Sequence, residues 1–569
     1  ERKTESSSAK ELRFFREKDK RMKCIYEDEG LEFGDDTSDE ATLVSRFEVA
    51  TKLCKARISE VFRNIRRARN VQLCFLVDVT GSMQSFINGV RDSIDEILKK
   101  VTDDGGAQMM VVAFVAYRDH EDTNQFEVLP FTGVSEFKEF SRRLSASGGD
   151  DGPEDVFGGL DAALNLDWSD NCGTKVVFHI CDAPCHGTEF HSGMRDNYLS
   201  GDPKGRTCKG LFSKLREMGI QYHFGKITSL TDIMIKKFSE AYGEPITDFD
   251  LKNVDKITDS VSTAVRSAIE ASVSASKKAG GKVRKVRDFT LDSVEPNWAA
   301  LPEIKGKCMS YEFPKSIEAI KLDVPLERSK AKDATMKVAK NPFAKGAERI
   351  AFYGKDLSTY WVKVGPKAGE HKKHEDIVLK ENLHLGKDIN SAKRYELSNQ
   401  MQTIAAFLAQ KFMDDLKKKR AGEYPKIKFL KIKTLLLADG FSKRFMSFER
   451  RFSADTKFVR FTNNAGYHIM EEKALGLGVS MEFVQLIFAF SHYTYKASGR
   501  FLMVVDLEGA VRIGSADRAG ILLTDPAIHC QDRTRYRPMN FGPDGMKEFF
   551  LNHKCNDFCK DLGLEGFVC

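Results

Sequence analysis

The chain has 569 residues, 41% hydrophobic and 30% charged, a globular mixture without the bias of a disordered or fibrous protein. Its net charge of +6 is small beside 89 basic and 83 acidic residues, which argues against a concentrated nucleic-acid-binding surface. No apolar run approaches the roughly 18–20 residues needed to span a bilayer, and the length suits about three or four units of roughly 100–200 residues.

Residues 1–70 read as a charged N-terminal arm, partly helical, with Leu43, Phe47 and Leu53 at helix-like intervals. The opening Glu1-Arg2-Lys3-Thr4-Glu5 lacks the apolar core of a secretory signal, and a start at Glu1 rather than Met leaves room for residues upstream. Twelve cysteines in a chain of this length are not disulfide-dense, which fits a reducing, cytoplasmic location, with association to a membrane surface left open.

Residues 71–270 alternate buried-strand runs with helical periodicity. Val71–Val77 is the first strand, and Phe86, Val90, Ile94 and Leu98 mark the helix after it. Met109–Val115, Lys175–Ile180 and Ile220–Phe224 are further apolar runs. This pattern predicts an α/β domain with a doubly wound, mostly parallel sheet, whose ligands bind at the carboxyl ends of the strands. There the first strand runs into Asp78-Val79-Thr80-Gly81-Ser82, one carboxylate and two hydroxyls at i, i+2 and i+4. Hard cations such as magnesium take oxygen ligands of this kind. A bland alternative is that Thr80 or Ser82 caps the next helix. The strand ending at Cys181-Asp182 adds a second carboxylate at the same sheet edge and favours the metal. The run Cys181-Asp182-Ala183-Pro184-Cys185-His186-Gly187 is a weaker metal candidate, because no second cluster completes four ligands.

Residues 271–299 are small, polar and basic, a linker composition. The second domain, 300–569, shows strand-like stretches at Arg349–Tyr353, Asp376–Leu379 and Phe501–Val505, and a long helix around Ala392–Lys417. It lacks the G-x-G-x-x-G, His-Arg-Asp and Asp-Phe-Gly signatures of ordinary protein kinases, and any Walker-type loop. It does hold the electrostatic parts that phosphoryl transfer needs: Lys380 on an apolar strand, Asp506 and Glu508 at i, i+2, and Asp525 further on. Near the end, His553, Cys555 and Cys559 have ligand-like spacing for zinc, which needs a fourth ligand from elsewhere.

Two resemblances follow from these residues. Asp78, Thr80, Ser82 and Asp182 resemble the metal-ion-dependent adhesion site of von Willebrand factor A domains. Most members supply a Thr from a middle loop; here Asp151 is the candidate to replace it. This resemblance implies protein binding through a divalent cation. The second domain resembles alpha-kinase domains, through Asn341–Arg349, Val378-Leu379-Lys380-Glu381, Phe490–Tyr495, Val505–Gly509, Leu523–Pro526 and His553–Cys559 in the family's order. It implies a two-lobed α+β atypical kinase fold that phosphorylates protein substrates on Ser or Thr from ATP. By matched position Lys380 contacts the ATP phosphates, assisted by Arg349 and the loop at Gly346, and Glu449 falls at the hinge that holds adenine. Asp506 and Asp525 are the metal-binding and catalytic acids, with Glu508 where the family usually has Gln. His492 is the zinc ligand that completes His553, Cys555 and Cys559. The two domains in this order resemble the von Willebrand factor A alpha-kinases, in which the first domain recruits a protein partner. The altered Glu508 also allows an inactive scaffold with a kinase fold.

Overall fold

The structure, a computed structural model, describes residues 18–19, 21–34, 40–103, 106–149, 151–278, 287–346, 349–363, 370–385, 390–439, 442–453, 456–512 and 520–564. Parts of the expected N-terminal arm (1–17, 20 and 35–39) and of the expected linker (279–286) lie outside the described residues. Two compact units are present: residues 59–280 form one, and residues 1–58 together with 281–569 form the other.

In the unit 59–280, six strands line up in the order β3-β2-β1-β4-β5-β6. They are β1 (Asn70–Asp78), β2 (Met109–Tyr117), β3 (Phe126–Thr132), β4 (Thr174–Cys181), β5 (Ile220–Lys226) and β6 (Thr247–Asp250). All neighbours are parallel except β3, which returns antiparallel on β2 and forms one edge. A strand in the middle of a parallel sheet is covered on both faces, so it reads as a continuous apolar run rather than an alternating one. That is why Leu73-Cys74-Phe75-Leu76-Val77 on β1 is fully buried. Between β2 and β4 the chain forms the helices Val134–Arg143 and Val156–Leu164. Every parallel strand delivers its last residue to one edge, where Asp78 and Asp182 emerge.

The second unit is built on an antiparallel sheet. Its strands are β7 (Ile304–Met309), β8 (Lys332–Val338), β9 (Ala344–Lys345), β10 (Arg349–Lys363), β11 (Glu370–Asn382), β13 (Lys433–Asp439) and β14 (Ser442–Arg450), with β12 (Lys426–Phe429) placed elsewhere. The order is β11-β14-β13-β7-β8-β10-β9, and β11 also pairs with β10, so the sheet closes on itself. Closure removes the free edges that a long sheet would otherwise expose. Ile377 and Leu379 of β11 point into its core with Met336, Phe352, Leu435 and Met446. Strand alternation therefore turns Val378 and Lys380 to the opposite face.

Beneath that sheet the long helix Ala392–Lys419 buries Ile404, Leu408 and Phe412 in a second core shared with the helix Met481–Ala497. Four strands run β12-β18-β17-β15, where β15 is Lys457–Arg460, β17 is Glu508–Arg512 and β18 is Gly520–Thr524. A further pair joins β16 (Leu502–Val505) to β19 (Ala527–Cys530). The hairpin of β17 and β18 opposes Glu508 to Thr524. Asp506 and Asp525 thus lie together where β16 passes into β17 and β18 into β19. Among the described residues no helix is long and apolar enough to cross a membrane.

Candidate functional site

On β11, Lys380 stands opposite Ser447 of β14, while Glu449 stands opposite Val378. Residues two apart on a strand share a face, so Glu449 is the diagonal neighbour of Lys380. Lys380 Nζ donates to Glu449 Oε1, to Asp525 Oδ2 at 2.7 Å and to Thr524 Oγ1 at 3.2 Å. Arg349, at the start of β10, places its guanidinium 3.0 Å from Asp525 Oδ1. Burial pushes the Asp525 carboxyl up, but Arg349 and Lys380 outweigh it and hold the group down at about 2. Burial likewise disfavours the Lys380 ammonium, and Asp525 and Glu449 more than restore it. The paired charges thus favour an ionised Asp525 beside a charged Lys380, in a half-buried site.

Asp506 and Asp525 have φ of +56° and +49°. Non-glycine residues rarely adopt this left-handed backbone, which costs about 1–3 kcal/mol at each position and persists where the fold over-determines it. Here strand pairing on both sides supplies that constraint, and the charges of both carboxylates act on Glu508. Glu508 accepts from Arg460 at 2.6 Å, while burial and then the charge of Asp506 push its carboxyl up to about 7. Two residues without a sequence signal complete the arrangement. Thr524 donates to Glu449 Oε2 at 2.7 Å, and Gln402 accepts from the Asp525 N–H at 3.0 Å while donating to Leu430 O. Gly346 turns the chain from β9 toward β10, its N–H donating to Arg349 O at 2.8 Å.

Close to the end of the chain, His492 on the helix Met481–Ala497 meets His553, Cys555 and Cys559. His492 Nδ1 is 3.2 Å from His553 Nε2 and 3.8 Å from Cys555 Sγ, and Cys559 Sγ is 3.5 Å from His553 Nε2. A tetrahedral ion with Zn–N of about 2.0–2.1 Å and Zn–S of about 2.3 Å sets ligand edges of about 3.3–3.8 Å. The two-His, two-Cys donor set and its spacing fit zinc.

In the unit 59–280, Asp78 is fully buried at the end of β1. Its Oδ1 accepts from the Thr80 N–H at 2.9 Å and from the Thr80 hydroxyl at 2.7 Å, while its Oδ2 has no hydrogen-bond partner. Ser82 donates to Asp182 Oδ2 at 2.6 Å. Asp151 is directed elsewhere: its Oδ2 accepts from the Asn197 N–H, and it groups with His186 and Asp196. The middle-loop carboxylate that interacts with Asp78 is Glu154, buried, with Oε2 lacking a partner. Burial pushes Asp78 up to about 7 and Glu154 up to about 10, each further raised by neighbouring carboxylates. Buried acids with bare oxygens are costly, and a cation among them reverses the balance. This oxygen-rich set suits magnesium or a similar hard cation. By contrast, Cys181 and Cys185 are packed in the apolar core.

Comparison with known proteins completes the picture. A family model described as the alpha-kinase family matches residues 344–559, and one described as the von Willebrand factor A domain matches residues 72–198. The chain is 30% identical over 547 residues to alpha-protein kinase vwkA of Dictyostelium discoideum, covering 93% of this chain and 82% of the relative. It is 32% identical over 226 residues to alpha-protein kinase 1 of the same organism, covering 40% of this chain and 14% of that relative. Among solved structures it is similar to the alpha-kinase domain of myosin-II heavy chain kinase A in complex with AMP-PNP. That likeness has 23% identity and a TM-score of 0.34, covering 48% of this chain and 98% of the other.

Proposed function

The chain belongs to the alpha-kinase family, with a von Willebrand factor A domain ahead of the kinase domain, and from that premise we propose how its own residues carry the activity. The reading is ATP-dependent phosphorylation of Ser or Thr in protein substrates. The observation that carries it is the convergence of Lys380 and Arg349 on Asp525, with the charges of Asp506 and Asp525 both acting on Glu508 beside them. When bound, ATP supplies the phosphoryl group and magnesium neutralises charge on its oxygens. Lys380 and Arg349 hold the phosphates, exchanging their present hold on Asp525 for phosphate oxygens. Asp506 and Glu508 are the residues that would hold magnesium. Asp525, released from those cations, orients the substrate hydroxyl and takes its proton. Glu449 and Thr524 keep the Lys380 ammonium in place, so Glu449 acts through the lysine as well as at the hinge. His492, His553, Cys555 and Cys559 would hold a structural zinc that ties the end of the chain to the helix Met481–Ala497.

The test is incubation of the full chain with labelled ATP, magnesium and a basic Thr-containing peptide. Asp525→Asn, nearly isosteric, is expected to lower the rate about 10²–10⁴-fold, the usual worth of a positioned general base. A variant that keeps the wild-type rate would remove Asp525 from the chemistry.

For the first domain, the reading is recruitment of a protein partner through a divalent cation held by Asp78, Ser82, Asp182 and Glu154, with Thr80 bracing Asp78. Calorimetric titration of the full chain with magnesium checks this. Asp78→Ala is expected to lose the saturable heat of this site, and Glu154→Gln to weaken it, with peptide phosphorylation little changed. Unaltered heats in both variants would rule out the site.

A further inference from the structure

Beside that cation site, a second group of side chains has no role in the proposed function. It joins the loop after β2 (Asp119-His120) to residues 182–207, which link β4 to the helix Cys208–Glu217. Connections longer than about 12–15 residues without helix or strand are uncommon in compact domains and need something to hold them. Here the holding residues are His186 and Asp196.

A ring nitrogen of His186, a ring nitrogen of His120 and a carboxylate oxygen of Asp119 lie within 4.8 Å of one another. His186 Nδ1 is 2.7 Å from Asp196 Oδ1, and Asp196 is fixed in turn by the N–H groups of Gly187 and Tyr198. A carboxylate on Nδ1 sets the tautomer that presents the Nε2 lone pair, as in the carboxylate–histidine–metal arrangement. That Nε2 faces Asp119 Oδ1 at 2.7 Å. At this distance a proton joins the two atoms, whereas a zinc held by both would set them about 3.3 Å apart, so metal binding would displace that proton and widen the pair. His120 repeats the pattern: Asp155 Oδ2 lies 3.4 Å from its Nδ1, with Gln125 Nε2 3.2 Å from the same nitrogen. Its side chain is 5% exposed, yet its Nε2 has no hydrogen-bond partner; the nearest carboxylate oxygen, on Asp202, is 3.6 Å away.

Charge points the same way. Asp119, Asp155, Asp196 and Asp202 are almost wholly buried. Arg206 bridges Asp155 and Asp202 and fills the space between them, so a cation is not expected there. Among the described residues, the ion-pair partners of Asp119 and Asp196 are imidazoles, which carry no fixed charge. Buried carboxylates require a cation, and a divalent ion supplies one without needing an imidazolium.

We propose that Asp119, His120 and His186 form a second metal site, for a borderline transition ion such as zinc, with Asp196 as the positioning carboxylate. Two imidazoles and one carboxylate suit zinc and leave a coordination position open to water or to a ligand's oxygen. The ion replaces the proton at His186 Nε2 and clamps residues 182–207 to the loop after β2. It is distinct from the zinc expected at His492, and from the oxygen-only set at Asp78.

The test equilibrates the full chain with zinc in a large excess of magnesium, removes free metal, and measures zinc per chain. His186→Ala and His120→Ala are each expected to hold one zinc fewer than the wild type, whatever the total. Asp196→Asn is expected to keep the site but lower its zinc affinity about 10–100-fold. His120→Ala removes the side chain with the partnerless nitrogen and so guards against a His186 variant that fails to fold. Equal zinc in the wild type and in a folded His120→Ala or His186→Ala variant would overturn the proposal and leave a purely hydrogen-bonded network.

Discussion

Lys380→Ala is expected to lose phosphoryl transfer by at least about 100-fold, the scale of removing one preorganised charge from a closed site. It should also destabilise the unit that carries it. The Lys380 amine neutralises Glu449 and Asp525, and Glu449 is 4% exposed. Removing one partner of a buried ion pair strands the other, at a cost of about 3–5 kcal/mol. The two effects separate in a double variant. Glu449→Gln added to Lys380→Ala removes a stranded charge, so much of the lost stability should return while phosphorylation stays absent. Thermal unfolding and peptide phosphorylation on the same preparations provide the check. A Lys380→Ala chain that phosphorylates at the wild-type rate would refute the assignment. Lost stability that Glu449→Gln does not restore would place the instability elsewhere.

Cys559→Ser, or stripping of metal by a chelator, is expected to unfold the end of the second unit. Zinc bound by such a site contributes about 10–16 kcal/mol of apparent free energy in small zinc-dependent folds, comparable with the whole stability of a domain. Three of the four ligands come from the last described segment, where Phe558 and Cys559 are buried in the core shared with Leu486, Ile487 and Phe490. Without the ion, the two imidazoles and two thiols meet through weak polar contacts of 3.2–3.8 Å in place of coordination bonds. Limited proteolysis should cut the chain near His553 in the stripped protein and spare it after zinc is returned. Proteolysis that ignores zinc would exclude a structural ion at this position.

Much of this architecture is legible in the residues because the signals are local. The run Val71–Val77 followed by Asp78-Val79-Thr80-Gly81-Ser82 states a buried parallel strand and its polar exit in one stretch. Lys380 could be singled out because a lone cation in Ile377-Val378-Leu379 contradicts its surroundings. Other features depend on long-range pairing. Glu449 reaches Lys380 only through the register of β11 with β14, and Gln402 reaches Asp525 only because its helix packs beneath them. Glu154 gives no sign of itself among Asp150, Asp151 and Asp155. Its parallel bridge to Cys185 helps bring it to the strand edge beside Asp78, while Asp151 is drawn to Asn197. The left-handed backbone at Asp506 and Asp525 is equally silent in sequence, because Asp also occurs throughout ordinary turns.

The unit that holds Lys380 and Asp525 is discontinuous along the chain, with residues 59–280 inserted between its first segment and the rest. Arg21 pairs with Asp323 at 2.6 Å, and Asp28 with Arg537 at 3.6 Å, so early helical residues depend on partners encoded far downstream. During synthesis the segment carrying Met22, Ile25 and Leu43 emerges before the rest of its unit. At roughly 5–20 residues per second it then waits tens of seconds for Asp323 and longer for Arg537. The inserted unit can finish folding in that interval, whereas the kinase unit cannot close until Arg537 has been made. Nascent chains stalled between these two points should therefore present a folded first domain and an unpaired amphipathic helix, a natural client for a chaperone. A gene fragment beginning at residue 281 would make a kinase that never receives its opening segment.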